Sequence, residues 1–185
     1  MVTASVVRLV LLAVVGSTAA CSSGWTESGG QFDSVGLGIE IEIPPQWQRI
    51  RSAPRDSIIL TLNGISLEAI TVSRWEVDQK LPGSKMRFRR YMQPHEAAAV
   101  EIDRRKFSVD DFQLVGEQPA TVGDRPCYRV AFEYRARSRQ QRKAVTYGCL
   151  KDEWVYRLHY DAPSESHFPR YLPAFESVVA SARFS

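Results

Sequence analysis

The side chains of this 185-residue chain that could do chemistry are three cysteines, three histidines and one dense run of cations. Cys21 follows a stretch of small residues, while Cys127 and Cys149 lie in alternating segments of the second half. An exported chain with an odd number of cysteines has one thiol left over after pairing. His95, His159 and His167 are scattered, without the spacing of a metal-ligand set. There is no Gly-x-Ser-x-Gly nucleophile turn and no glycine-rich phosphate loop, so no catalytic residue, metal or cofactor is expected. His95-Glu96 is the nearest approach to an acid–base pair, yet a helix dipole alone favours a glutamate at that place. Asp110-Asp111 could touch a cation, although adjacent loop acids are commonly just solvated. Arg135, Arg137, Arg139, Arg142 and Lys143 crowd a single turn. They could meet anionic headgroups, at on the order of 1 kcal/mol each, or an acidic protein partner. A charged hairpin end also blocks edge-to-edge aggregation with no partner at all.

Residues 1–20 have the form of a secretion signal. Arg8 is the only charge ahead of an apolar run from Leu9 to Val15, and small residues from Gly16 to Ala20 follow. That run is too short to cross a bilayer as a helix. Thr18-Ala19-Ala20-Cys21 resembles the lipobox of bacterial lipoproteins, with Thr18 where that family usually carries Leu. The resemblance implies cleavage before Cys21 and acylation of that residue, which moors the body to a bacterial envelope facing the periplasm. Ser22 resembles an outer-membrane rather than an inner-membrane address. Acylation also uses the odd thiol, and an oxidising periplasm keeps a disulfide closed. Plain cleavage after Ala20 is the competing reading. Loss of Arg8 leaves 23 Lys and Arg against 21 acids, a net charge of +2. Such a small excess, without a groove-reading motif, implies no nucleic-acid partner.

The elements that would position these residues follow from hydrophobic period. Residues 21–36 are rich in Gly and Ser and read as a flexible tether, with Trp25 and Phe32 as aromatic exceptions. Leu37 to Ile43 alternates without a break and reads as a half-buried strand, ended by Pro44-Pro45. Asn63-Gly64 between apolar runs predicts a two-residue hairpin with Leu62 opposite Ile65, Leu60 opposite Leu67 and Ile58 opposite Ala69. Residues 81–93 read as a loop. His95 to about Lys106 reads as a helix with Pro94 in its first turn. Phe112 to Val115 reads as a short strand and Gly116 to Asp124 as a loop. Cys127 opposite Cys149 sets a meander in which Glu133 meets Lys143 and Tyr128 meets Gly148. Directly opposed antiparallel residues lie within disulfide reach; two buried free thiols are the alternative. A third strand from Trp154 to Tyr160 follows, then a helix striped by Phe168, Phe175 and Val179.

Ile41-Glu-Ile43-Pro44-Pro45-Gln-Trp47, Tyr147-Gly148, Trp154-Val-Tyr156-Arg-Leu158, Ala162-Pro163 and a last helix ending near Phe184 resemble a PsbP-like domain over residues 37–185. The resemblance implies an α+β fold, an antiparallel sheet of about six strands flanked by helices. It also implies an accessory role: a non-catalytic envelope lipoprotein that binds a protein or a membrane surface. The alternative is a periplasmic small-ligand binder or hydrolase with a pocket between sheet and helix near His95, Arg157 and His159.

Overall fold

The computed structural model describes residues 25–27, 29–50, 53–82 and 84–185. The signal and Cys21 lie outside the described residues. Among the described residues, eleven strands and two helices follow in chain order: β1 Trp25–Glu27, β2 Gly30–Ser34, β3 Ile39–Ile43, β4 Gln48–Ile50, β5 Ser57–Thr61, β6 Ala69–Glu76, α1 Pro94–Ser108, β7 Asp110–Val122, β8 Arg125–Arg135, β9 Gln141–Lys151, β10 Trp154–Pro163, α2 His167–Ser181 and β11 Arg183–Phe184.

The fold class is α+β, as expected, but the sheet is larger than six strands. Eight strands run in the order β1-β4-β5-β6-β10-β9-β8-β7, and a second sheet has the order β11-β3-β2. α1 packs on one face of the large sheet, over β7, β8 and β9. α2 packs on β10, β9 and β3, so it and the small sheet cover the opposite face. β10 sits in the middle and is buried along most of its length. Val155, Arg157 and His159 point toward the α1 face, while Tyr156, Leu158 and Tyr160 point into the other core. A strand covered on both faces reads as a continuous buried run, and this one carries two basic residues inside it.

The meander has the expected register. Cys127 stands opposite Cys149, Tyr128 opposite Gly148 and Glu133 opposite Lys143. The two sulfurs form a disulfide across a Cα separation of 4.4 Å. It belongs to the α2-side core. Tyr128 lies on the α1 side, folded across Gly148. A Cβ built on Gly148 would sit 2.0 Å from Tyr128 Cζ, so only glycine fits there.

Three expectations are corrected. Part of the stretch read as a tether is structured: β1 pairs with β4 and β2 pairs with β3. Phe32 sits under the Arg49 guanidinium, 4.8 Å from its ring centroid, which ties this strand to the body. The segment read as a loop from Gly116 is instead the continuation of β7, paired with β8 as far as Val122. Two register shifts hide its alternation, and an edge strand tolerates Pro119.

The third correction concerns Asn63-Gly64. β5 and β6 pair with Leu60 opposite Ile70 and Ile58 opposite Val72, three residues away from the two-residue hairpin register. The cause is Glu68, which is fully buried. Its carboxylate accepts from the backbone N–H of Leu62 at 2.9 Å and of Asn63 at 2.5 Å. Leu67 and Glu68 donate to the Gly64 carbonyl, closing a helical turn that uses up residues 65–68. Ile65 and Leu67 are thereby turned outward. The core pattern survives because Ile58, Leu60, Ile70 and Val72 still share one buried face.

Two outcomes test this packing. Replacing Cys127 and Cys149 by serine should lower unfolding free energy by about 3 kcal/mol in urea titration, by loop-closure entropy. Gly148→Ala should cost roughly 1–3 kcal/mol through overpacking against Tyr128.

Candidate functional site

The run of five cations does not form one free basic tip. Arg142 is buried: its Nε donates to Asp161 Oδ1 at 2.7 Å and its Nη1 to the Ser66 carbonyl at 2.8 Å. Its Nη2 donates to the Leu67 carbonyl at 3.4 Å, so this side chain ties the 62–68 loop to the sheet. Lys143 pairs with Glu133 at 3.2 Å, and Arg135 pairs with Asp111 at 2.7 Å. That leaves Arg137 and Arg139, exposed on the turn between β8 and β9, with no ion pair among the described residues. The turn is held by Ala136 donating to the Gln140 carbonyl and Arg139 to the Ala136 carbonyl. Phe107, more than half exposed at the end of α1, lines one groove of about 520 Å³ together with Arg135 and Arg137. Phe107 and Arg137 thus share one groove, while Ile65 and Leu67 are exposed on the separate loop that Arg142 holds to the sheet.

The residues suggested for a ligand pocket do not converge. His95 lines a separate recess of about 260 Å³ with Pro94, Glu117, Gln118 and Pro119. Arg157 and His159 are buried among the side chains beneath α1. Among the described residues, no group of three or more His, Cys, Asp or Glu is placed to hold a metal.

Beneath α1 lies a charge cluster that the sequence reading did not assemble. Glu101 has no solvent exposure. Arg157 donates to it twice, from Nη2 at 2.7 Å and from Nε at 3.1 Å. Arg105 Nε and Arg104 Nη2 reach the same carboxylate at 2.9 and 3.1 Å. Burial by itself would push the Glu101 carboxyl up, but the three guanidiniums hold it well below the usual range. Burial lowers Arg104 to about 10, and lowers Arg105, against the pull of Glu101. The Arg157 and Arg104 guanidiniums also lie over Trp75, at 4.1 and 4.7 Å from the ring centroid. His159 stacks on Phe132 and shares a 2.8 Å hydrogen bond with Thr146. Burial, then the nearby Arg105 and Arg157, push its imidazole well below the ordinary value.

Sequence carried a signal for this cluster. Glu101 has arginines three and four residues later, a spacing that puts them on one side of a helix. On an exposed face that arrangement is a minor surface pair. Arg157 sits between Val155 and His159 in a strand of large apolar residues, where a buried cation requires a carboxylate. Which carboxylate answers it is a long-range fact.

No protein-family profile and no curated protein matches the chain in sequence. Solved structures do match in shape. Cyanobacterial PsbP (CyanoP) from Synechocystis sp. PCC 6803 aligns over 92% of this chain and 99% of its own, with 10% identity and a TM-score of 0.58. The fold is PsbP-like. The Saccharomyces cerevisiae Ran-binding protein Mog1p aligns over 86% of this chain and 96% of its own, with 10% identity and a TM-score of 0.58. LpqN, involved in cell envelope biogenesis of Mycobacterium tuberculosis, aligns over 80% of this chain and 83% of its own, with 14% identity and a TM-score of 0.57. The chain spans 48% of a further match from Bacteroides thetaiotaomicron. At these identities the likeness shows the fold alone.

The cluster predicts acid sensitivity. His159 is depressed, so below its ordinary value of 6.5 the unfolded chain takes up a proton that the folded chain refuses. Stability therefore falls as pH drops from 6.5, with a limiting slope of about 1.4 kcal/mol per pH unit. Glu101 adds a second loss in the same direction below its ordinary 4.5. Urea midpoints between pH 7 and 5 should show the first loss, and His159→Gln should flatten it. Glu101→Gln should cost about 3–5 kcal/mol at pH 7, since it leaves buried guanidiniums unpaired.

Proposed function

We propose that this chain is a non-catalytic envelope protein, moored through lipid on Cys21 with its PsbP-like body in the periplasm, that binds a protein partner with its hairpin end. The observation that carries the reading is the groove that exposed Phe107 shares with Arg137, beside a braced turn whose Arg137 and Arg139 have no ion pair among the described residues. Hydrophobic surface next to cations that have no internal partner suits a protein patch with an apolar centre and acidic rim. The bracing by Arg142 means little ordering is needed on binding, which favours affinity. A membrane surface is the weaker occupant. Two free cations contribute about 2 kcal/mol against an anionic bilayer, and five would have contributed more. The fold neighbours support an accessory role, since they include a Ran-binding protein and a protein involved in cell envelope biogenesis. Ser22 favours the outer over the inner membrane as the address.

Mooring is tested by fractionation: Cys21→Ala should shift the protein from membranes to the soluble periplasm, and an unchanged distribution refutes the anchor. Docking is tested in cells with a photo-crosslinking side chain at position 137. A discrete protein adduct is expected, and it should fade when Arg139 and Phe107 are changed to Glu and Ser. Those two changes should alter folding stability by no more than about 0.5 kcal/mol each, being exposed. Adducts to lipid alone, or none, would overturn the reading.

A further inference from the structure

α1 packs mainly over β7, β8 and β9 and reaches β10 and β6 through Glu101 on Arg157 and Arg104 on Trp75. Beside it, over β5, β6 and β10, lies a groove of about 560 Å³ whose floor includes Ile59, Thr71, Ser73, Trp75 and Arg157. Register puts these side chains on the face that α1 occupies: Ile59 is opposite Thr71, Thr71 opposite His159 and Ser73 opposite Arg157.

Two features of this floor are unfinished. Ser73 is 6% exposed, and its Oγ is buried without a hydrogen-bond partner. Arg157 directs Nε and Nη2 to Glu101, while its Nη1 donates to no group among the described residues. The two stand opposite one another on neighbouring strands. A hydroxyl buried without a partner costs roughly 1–3 kcal/mol, so natural folds leave few of them unless something completes the site. Charge is unfinished as well. One carboxylate, Glu101, faces the guanidiniums of Arg157, Arg104 and Arg105, which leaves local positive charge uncompensated. At the rim, Arg55, Arg74, Asp56 and Glu76 bring both signs, and Asp56 is 3.5 Å from Arg74. These four rim charges cancel, so the uncompensated charge lies on the floor. Ile59, the Thr71 methyl and the indole of Trp75 supply the apolar remainder, in a space within the range of small-molecule sites.

We propose that this groove binds a small amphiphile with one anionic head, a carboxylate or a phosphate monoester, held by Arg157 Nη1 and Ser73 Oγ, with its alkyl part along Ile59 and Trp75. The site is separate from the hairpin end and stands or falls independently of partner docking there.

Calorimetric titration of the exported full chain carrying Cys21→Ala, which needs no detergent, tests it. The probes are octanoate, octyl phosphate and octanol. Saturable binding of octanoate, octyl phosphate or both is expected with Kd below about 1 mM, and at least about tenfold weaker binding of octanol. Preference between the two anions identifies the head. Arg157 is not a usable test site, because its loss would strip Glu101 of its partner. Thr71→Glu instead places a carboxylate beside Arg157 and should abolish binding, while Ser73→Val should weaken it several-fold; circular dichroism checks that both fold. Absence of saturable binding, equal binding of octanol, or undiminished binding by the folded Thr71→Glu variant would each overturn the proposal.

Discussion

The carboxylate of Glu101 is the point on which one side of the molecule depends. α1 has a weak apolar stripe, and its buried face is made largely of Ala97, Ala98, Val100 and Ile102. Small side chains allow close approach but supply little transfer energy. The helix is held instead by a two-point hydrogen bond from Arg157 in the central strand, with Arg104 and Arg105 closing the same carboxylate from the helix itself. A buried ion pair is seldom a large net gain in stability, but removal of either partner is costly. It therefore works as a specificity device that sets where on the sheet the helix sits. Its start is set separately, by Pro94 at the first position and by Glu96 accepting from the Gln93 N–H.

The opposite core is built differently. Cys127, Cys149, Tyr156, Leu158 and Tyr160 from the large sheet meet Ile39, Ile41 and Ile43 from the small sheet and Phe175 and Val178 from α2. There the stabilisation is apolar area, with stacked Tyr160, Phe168 and Phe175 at its centre. One face of the sheet is thus closed by hydrophobic packing alone, the other by a smaller apolar cluster around Phe88, Phe132 and Val155 with the Glu101 charges set beside it. That asymmetry explains why the groove over Ser73 and Arg157 occurs on the α1 side.

Polar side chains also decide the shape of the hairpin end. Glu68 and Arg142 both look like surface residues in the chain, yet each is buried and satisfies loop backbone groups. Glu68 replaces a tight Asn-Gly turn with a longer loop, and Arg142 pins that loop to the sheet. The result turns Ile65 and Leu67 outward and leaves Arg137 and Arg139 as the free cations. Local turn chemistry pointed to a two-residue hairpin because Asn-Gly suits positive φ, and Gly64 does adopt φ of 109°. Asn63, however, does not take positive φ, so the two-residue turn does not form and the strand partner differs.

Alternation marked the three strands of the β8–β9–β10 meander, the cysteine pair set the β8–β9 register, and helix formers and a three-to-four spacing marked the two helices. Period and turn residues are local, and short antiparallel connections leave few other solutions. Resemblance in a few structural motifs was enough for the fold class. Polar edge strands escaped wholly, as β2 did, or beyond their first residues, as β7 did past Val115, because they carry no continuous buried stripe from which to read a period. The partners of Glu101, Glu68 and Arg142 escaped for a deeper reason. A charged residue has the same letter whether it is solvated or buried, and only the strands brought beside it decide which. Glu101 finds Arg157 56 residues away, and Arg142 finds the Ser66 carbonyl 76 residues away. Tertiary structure alone thus decided which cations are spent inside and which remain at the surface, because desolvation and pairing are properties of the assembled sheet.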